Sequence, residues 1–135
     1  MKDVSYKLRK AYFALLNTVL DVNVYDETAT QDAGNYVILS TQNSAISHTK
    51  DTFETEASIV IDVVTRFKGN VGTKKNCDEI ANAILEAVMP TPSTIGLTVD
   101  GFRVVSLEVS TQTLSAQFGD EFIIRKLLTF NHVLV

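Results

Sequence analysis

Imidazole and thiol groups, which most readily act as base or nucleophile near neutral pH, occur three times in this sequence, in His48, Cys77 and His132. His48 lies in a polar stretch, and His132 alternates with apolar neighbours, which is typical of a partly buried or interface residue rather than a ligand. Cys77 begins a helical pattern, where a thiol pKa can be lowered. It also belongs to the apolar side of that pattern, so we expect a structural thiol. Because His and Cys are so few, we expect no catalytic residue, no metal and no cofactor.

Two further patterns resemble functional motifs, but each lacks a feature that the motif requires. Acidic residues are scattered along predicted loops, and such spacing does not set two carboxylates at the separation of a glycosidase. These are Asp26, Glu27, Asp32, Asp51, Glu54 and Glu56. Residues 69–75, Gly-Asn-Val-Gly-Thr-Lys-Lys, lack the Gly-x-x-x-x-Gly-Lys-Ser/Thr arrangement of a phosphate loop. We interpret residues 69–73 as a turn, and we expect that the protein is not an enzyme.

Composition favours one soluble globular domain spanning 1–135. The chain has 135 residues, of which 45% are hydrophobic and 21% charged, and its length is enough to bury about two thirds of the unfolded surface. No apolar run is long enough for a membrane span or a signal peptide, and the single cysteine fits a reducing cytoplasm. The net charge of −4 argues against a protein that grips DNA, although a DNA conduit needs no such attraction.

The elements that must position any site are organised around residues 56–69. Apolar residues recur at every second position there, with polar residues between them, which predicts a central strand with one buried face. The apolar set is Ala57, Ile59, Ile61, Val63 and Phe67. Val60 and Val64 interrupt the polar face, so we expect a neighbour in the chain or another subunit to cover part of it.

Two amphipathic helices flank this strand in sequence. Apolar residues spaced by three and four predict a helix over residues 3–19, with Asp3 as its N-cap. The same spacing predicts a second helix over residues 76–88, where Asn76 and Glu79 have the spacing of a capping box. Two prolines, Pro90 and Pro92, end this second helix.

Three more strands complete the prediction. Residues 36–41 are aromatic and β-branched, residues 102–115 alternate, and residues 121–134 are apolar on both faces, which indicates burial within a sheet or against a partner. Residues 22–27 form a short extended piece before a polar loop over 28–35. The prediction is therefore an α+β fold. A mostly antiparallel sheet of about four strands packs with two helices, in the order helix, strand, strand, helix, strand, strand.

Residues 42–55 form a long polar loop or the tip of a hairpin. Ile46 and Phe53 are the large apolar residues in this segment. A connection of this length exceeds the usual loop, and long loops often carry function, although a plain connection fits equally well. We expect deletion of residues 43–51 to spare the fold and to impair assembly with a partner.

The local sequences and their succession resemble the phage tail-completion and tail-terminator family. The resemblance covers residues 7–130 and rests on residues 8–16 (Leu-Arg-Lys-Ala-Tyr-Phe-Ala-Leu-Leu), 24–27 leading to 36–40, 59–67 and 77–88. Where many members have a short loop before the central strand, this chain has the longer segment 42–55.

This resemblance implies a virion structural protein at the head-tail interface, made in a bacterial cytoplasm. It implies a closed homo-oligomeric ring around a DNA passage, with DNA only as cargo, and contacts to portal, neck or tail proteins but no membrane. Our expected interface residues are Asn43, Ile46, His48, Lys50, Asp51, Phe53, Val60, Asp62, Val64, Arg66, Phe130 and His132. The alternative is a small cytoplasmic α+β module that dimerises and binds a protein or small ligand.

Overall fold

The computed structural model describes residues 1–29, 34–69 and 72–135. Its elements follow in the order α1, β1, β2, β3, α2, β4 and β5. Their bounds are α1 Ser5–Val19, β1 Asn23–Tyr25, β2 Tyr36–His48, β3 Phe53–Lys68, α2 Lys75–Val88, β4 Val104–Phe118 and β5 Glu121–Leu134. The predicted α+β class, with two helices and a predominantly antiparallel sheet, is confirmed. Parts of the predicted loop 28–35 and of the predicted turn 69–73 lie outside the described residues.

In the described part of the chain the sheet has five strands, where about four were predicted, in the order β1-β2-β3-β5-β4. The additional strand, β1, lies in the segment we predicted as a short extended piece, and it pairs parallel with the start of β2, where Val24 faces Val37. The other strand pairs are antiparallel. The prediction missed β1 because three residues are too few to show a period, and a parallel partner cannot be read from adjacent sequence.

Both helices cover the same face of the sheet. α1 packs on β1 and β2, and α2 packs on β3 and β5. The predicted apolar face of β3 is the centre of the core: Ile59, Ile61 and Val63 are fully buried. Burying one such side chain contributes about 1.5–3 kcal/mol. The strongest interior contacts are therefore those between β3, β5 and the two helices.

Both predicted helix caps are wrong. The N-cap of α1 is Val4, and Asp3, one residue earlier, uses its carboxylate to accept hydrogen bonds from the amide and the hydroxyl of Ser5, at 2.9 and 2.8 Å. These bonds lower the pKa of Asp3. The N-cap of α2 is Lys74, so Asn76 lies inside the first turn, and neither cap residue makes a side-chain capping bond.

Two irregularities change which side chains face the helices. In β2 the register shifts between Leu39 and Gln42, after which the even-numbered residues face the helices. Gln42 consequently points at α1: its amide donates to the carbonyl of Ser5 at 2.9 Å, and its amide oxygen accepts from Arg9 at 2.8 Å. A second shift lies at the start of β4, between Val104 and Ser106. A bulge adds one residue to a strand, and every later side chain therefore changes face.

The two strands after α2 differ sharply in environment. β5 lies inside the sheet and pairs with β3 and β4 along its whole length, which agrees with its predicted two-sided apolar pattern. β4 forms the edge of the sheet. Among the described elements, β5 is the one with which β4 makes extensive contacts. Most of its side chains are exposed on both faces.

Candidate protein interfaces

The segment predicted as a polar loop or hairpin is a β-hairpin, and we call residues 43–54 the arm. Asn43 pairs with Ser58, and the ladder continues to the pair His48 and Phe53. A hydrogen-bonded turn closes the arm, with the amide of Thr49 donating to the carbonyl of Thr52 at 2.8 Å. β5 ends opposite Thr55, so the tip of the arm extends past the rest of the sheet.

Six of the expected interface residues lie on the arm, and all are exposed: Asn43, Ile46, His48, Lys50, Asp51 and Phe53. The structure brings three of them to one side. Ile46, His48 and Phe53 share the face that carries the helices, and the rings of His48 and Phe53 lie 6.2 Å apart. Ile46 and Phe53 line a shallow cavity of about 400 Å³ together with Met1, Lys2 and Phe102. The arm therefore presents a small exposed apolar surface with a polar turn beyond it.

Four more expected residues, Val60, Asp62, Val64 and Arg66, lie on the sheet face that no helix covers, which we call the open face. Two of them are already covered by the chain itself. Asp62 and Val64 are each only 3% exposed, because side chains from β2 and β5 close over them. Burial within the chain leaves Asp62 and Val64 little surface for a partner.

Ion pairs organise the open face. Arg125 contacts both carboxylate oxygens of Asp62, with its Nε 3.3 Å from Oδ1, and this contact raises the pKa of Arg125. Arg66 pairs with Glu121 on the neighbouring strand, which raises the pKa of Arg66 in the same way. The carboxylates of Asp62 and Glu121 therefore neutralise the two arginines of this face, Arg125 and Arg66.

The last two expected residues, Phe130 and His132, lie in the core under α1. Both side chains are buried and contact Tyr12, whose ring centroid is 5.5 Å from each of theirs. Sequence alternation could not distinguish this location from an interface, since an interior strand and a subunit contact both demand apolar neighbours. In the isolated protomer these two residues stabilise the fold rather than present a surface.

His132 is held by hydrogen bonds on both ring nitrogens. Nδ1 lies 2.8 Å from the carbonyl oxygen of Ala57, which can only accept, so Nδ1 carries the proton. Nε2 then accepts from the Tyr12 hydroxyl at 2.5 Å. Burial lowers the pKa of His132 and raises that of Tyr12 well above its usual range. This arrangement favours a neutral, fixed imidazole.

Among the described residues, Cys77 makes no hydrogen bond to either histidine. Cys77 is buried, its thiol donates to the carbonyl of Lys74 at 3.1 Å, and burial raises its pKa, so the thiolate is disfavoured. His132 bonds Tyr12, and His48 lies on the arm. Among the described residues, no cluster of His, Cys, Asp or Glu could hold a metal ion. Neither helix among them has the length and apolar composition to cross a membrane.

A full-length structural match supplies the main comparison. No protein-family profile and no curated protein matches the chain. A chain in the solved structure titled "Virion of native gene transfer agent (GTA) particle" superposes with a TM-score of 0.68 at 20% sequence identity, and the match covers 100% of both chains. The two chains share one fold.

Several exposed apolar residues were not expected as interface residues from sequence, among them three aromatic ones. Tyr6 and Phe13 lie on the outer side of α1, and Phe118 ends β4. Tyr6 and Phe13 do carry a signal, because both fall off the apolar stripe of α1 although they are large aromatic residues. Phe118 gives none, because a residue next to a turn is neither clearly inside nor outside a strand pattern.

Proposed function

We propose that this protein is a structural component of a phage-type virion that acts at the head-tail interface in tail completion or termination. It works by binding alone, and its copies form a closed ring through which DNA passes. The observation that carries the proposal is the full-length match to a chain of the gene transfer agent virion. The resemblance of residues 7–130 to tail-completion and tail-terminator proteins supports the same reading.

The arm supports a contact with a second component. Its turn extends past the sheet, and Ile46 and Phe53 expose apolar surface beside polar residues that water can reach. An exposed apolar group next to a hydrogen-bonded turn suits a contact with a portal, neck or tail protein. We therefore assign the arm to the contact between rings rather than to the contact between copies.

The charge of the chain supports a passage rather than a DNA grip. The net charge is −4, and the central arginines of the open face are already paired with Asp62 and Glu121. DNA-binding surfaces need basic side chains free to displace counterions from phosphates. A wall without such free charges lets DNA move through the lumen.

Native mass spectrometry of the purified chain tests this proposal, with electron microscopy of the same sample. We expect one large oligomer in equilibrium with monomer, and closed rings in the images. A stable dimer with a saturable small-molecule site would contradict the proposal and favour the alternative binding module. An activity abolished by Cys77→Ala would also contradict it, because that result requires an enzyme.

A further inference from the structure

Among the described residues, the edge strand β4 has few of the devices that normally keep sheet edges apart: a bulge at its start and one charged side chain. Such strands are usually short or carry lysine, proline or a covering loop, because their free N–H and C=O groups can pair with another chain. β4 spans Val104–Phe118, and Glu108 is its single charged residue. It exposes Val109 by 43% on the face that carries the helices, Leu114 and, by 61%, Phe118 on the open face, and Val105 at the bulge between them and the strand start. We call these four side chains and the free edge the β4 surface.

A second exposed apolar surface lies at the opposite edge of the sheet. Tyr6, Lys10 and Phe13 follow each other at four and three residues on the outer side of α1, with Tyr6 exposed by 59% and Phe13 by 41%. Together with Arg9 and with Asp26, which lies just beyond β1, they line a cavity of about 220 Å³. We call these five residues the α1 surface.

A groove continues from the α1 surface along the free edge of β2. Arg9 and Asp26, joined by an ion pair of 2.7 Å, also line a neighbouring cavity of about 390 Å³. Its other walls include Ser40 and Thr41 of β2, which lie at the bulge and have no partner residue in the register with β3. β1 pairs only with residues 36–38 of β2, so no described strand pairs with the outer edge of β2 beside this groove.

We infer that the β4 surface of one copy docks on the α1 surface of the next. The two surfaces are unlike and lie at opposite edges of one protomer, which is the arrangement that closes copies into a ring by head-to-tail contacts. Their remaining charges are complementary: Lys7 and Arg9 of α1 are paired with Asp100 and Asp26, which leaves Lys10 as the cation of the α1 surface, whereas β4 carries Glu108 alone. The occupant of each surface is a second copy of this chain, so the inference rests on the proposed ring.

Two single substitutions test the contact from its two sides. Val109→Lys places a cation in the β4 surface, and Phe13→Glu places an anion among the aromatic residues of the α1 surface. Both positions are exposed in the protomer, so each variant should keep the wild-type circular dichroism spectrum and melt cooperatively. We expect each to raise the protein concentration at half-assembly by roughly tenfold or more, as for substitutions at the centre of an interface.

Matched control variants test whether an added charge anywhere on the surface would weaken assembly in the same way. Asn82→Lys and Asn82→Glu add the same charges on the exposed outer side of α2, away from both surfaces, and should assemble as the wild type does. The conservative variants Val109→Ile and Phe13→Leu should also retain the ring. Loss of assembly in either Asn82 variant would show that the effect is not specific to the two surfaces.

Mixing the two disrupted variants distinguishes a head-to-tail contact from a symmetric one. Val109→Lys keeps an intact α1 surface, and Phe13→Glu keeps an intact β4 surface, so an equimolar mixture should form heterodimers that native mass spectrometry resolves from rings. If β4 instead pairs with itself, Phe13→Glu alone forms homodimers, and the inference is overturned.

The remaining outcomes separate the inference from the proposed function. Rings that persist in both Val109→Lys and Phe13→Glu leave the proposed function standing and overturn the assigned surfaces. A wild-type chain that stays monomeric at every concentration overturns both.

Discussion

At the scale of single residues, the buried polar groups make testable contributions to stability. His132 is the clearest case, because its neutral form both donates to Ala57 and accepts from Tyr12. A second proton would have to displace the Tyr12 hydrogen bond inside the core. The imidazole therefore acts as a fixed structural bridge between α1, β3 and β5.

We expect stability to fall as pH decreases below about 6.5, the ordinary pKa of histidine. The folded-state pKa of His132 is lowered by burial, so between the two pKa values the unfolded chain binds a proton that the folded chain does not. The free energy of unfolding should decrease by up to about 1.4 kcal/mol per pH unit in that window, and this group adds no slope above it.

Urea titrations at pH 8 and pH 5.5 measure this effect. His132→Gln should remove the part of the slope due to His132, whereas His48→Gln, at an exposed position on the arm, should leave it unchanged. An identical slope in the wild type and both variants would contradict the role given to His132.

The Asp62–Arg125 pair makes a second prediction at this scale. Asp62 is almost fully buried while Arg125 is half-exposed, so removing the arginine strands a carboxylate with little access to water. We expect Arg125→Met to cost about 2 kcal/mol, below the usual cost of breaking a fully buried pair. The double variant Asp62→Asn, Arg125→Met should recover part of this loss in urea unfolding. Equal stability of the Arg125→Met variant and the wild type would show that solvent already screens Asp62.

At the scale of elements, the predictions succeeded where a period ran long enough to count. Both helices and the alternating face of β3 follow from residue spacing, and the two-sided apolar pattern of β5 matches its interior position in the sheet. The predictions failed for features that are short or irregular. β1 has three residues, and the bulge after Leu39 reverses the facing of the rest of β2, so the position of Ile46 on the helix face could not be read from alternation.

The expected interface residues fall into a buried group and an exposed group for the same reason. Burial by the chain's own neighbours depends on which strands lie side by side, and the spatial order β3-β5-β4 is not the sequence order. Asp62 and Val64 are flanked by β5, which follows much later in the chain, and Phe130 and His132 on β5 are buried under α1, which comes first. The residues of the arm remain exposed because β5 ends opposite Thr55. Sequence showed which residues were unusual, but it could not show what covered them.

Shortening the arm is a prediction at the element scale. The originally expected deletion of residues 43–51 would remove the part of β2 that pairs with residues 53–58 of β3, so a smaller change is needed. Replacing residues 47–54 by Asn-Gly joins the directly paired Ile46 and Thr55 through a two-residue turn. We expect the fold and the ring to survive, with a stability loss of about 1 kcal/mol or less, since the removed residues are exposed.

Cosedimentation with the portal, neck or tail protein that contacts the arm measures how shortening the arm changes binding. The shortened chain should lose this interaction, whereas Asn82→Lys, which keeps the full arm and changes only the exposed outer side of α2, should retain it. Loss of folding in the shortened chain would mean that the arm belongs to the core.

At the scale of the whole molecule, the stability of this protein should depend on its concentration. The β4 and α1 surfaces expose apolar side chains in the protomer, and a second copy would bury them. Anything that binds the folded state alone stabilises it by mass action, by up to about 1.4 kcal/mol for each tenfold rise in concentration above Kd. We expect the Tm of the wild type to rise with protein concentration and that of Val109→Lys to stay constant. A wild-type Tm independent of concentration would contradict self-association through these surfaces.

The unbroken course of β3 has a mechanical consequence. This strand runs from Phe53 on the arm to Lys68 at the far end of the sheet, and its ladder with β5 shows no register shift from Thr55 to Lys68. A pull on the arm along the strand axis therefore loads those transverse hydrogen bonds together, in shear, instead of peeling them one at a time. Without a hinge in β3, tension at the tip is transmitted directly to the core beneath the helices. The arm is thus suited to resist force along its length, because β3 continues without a break from the arm into the core.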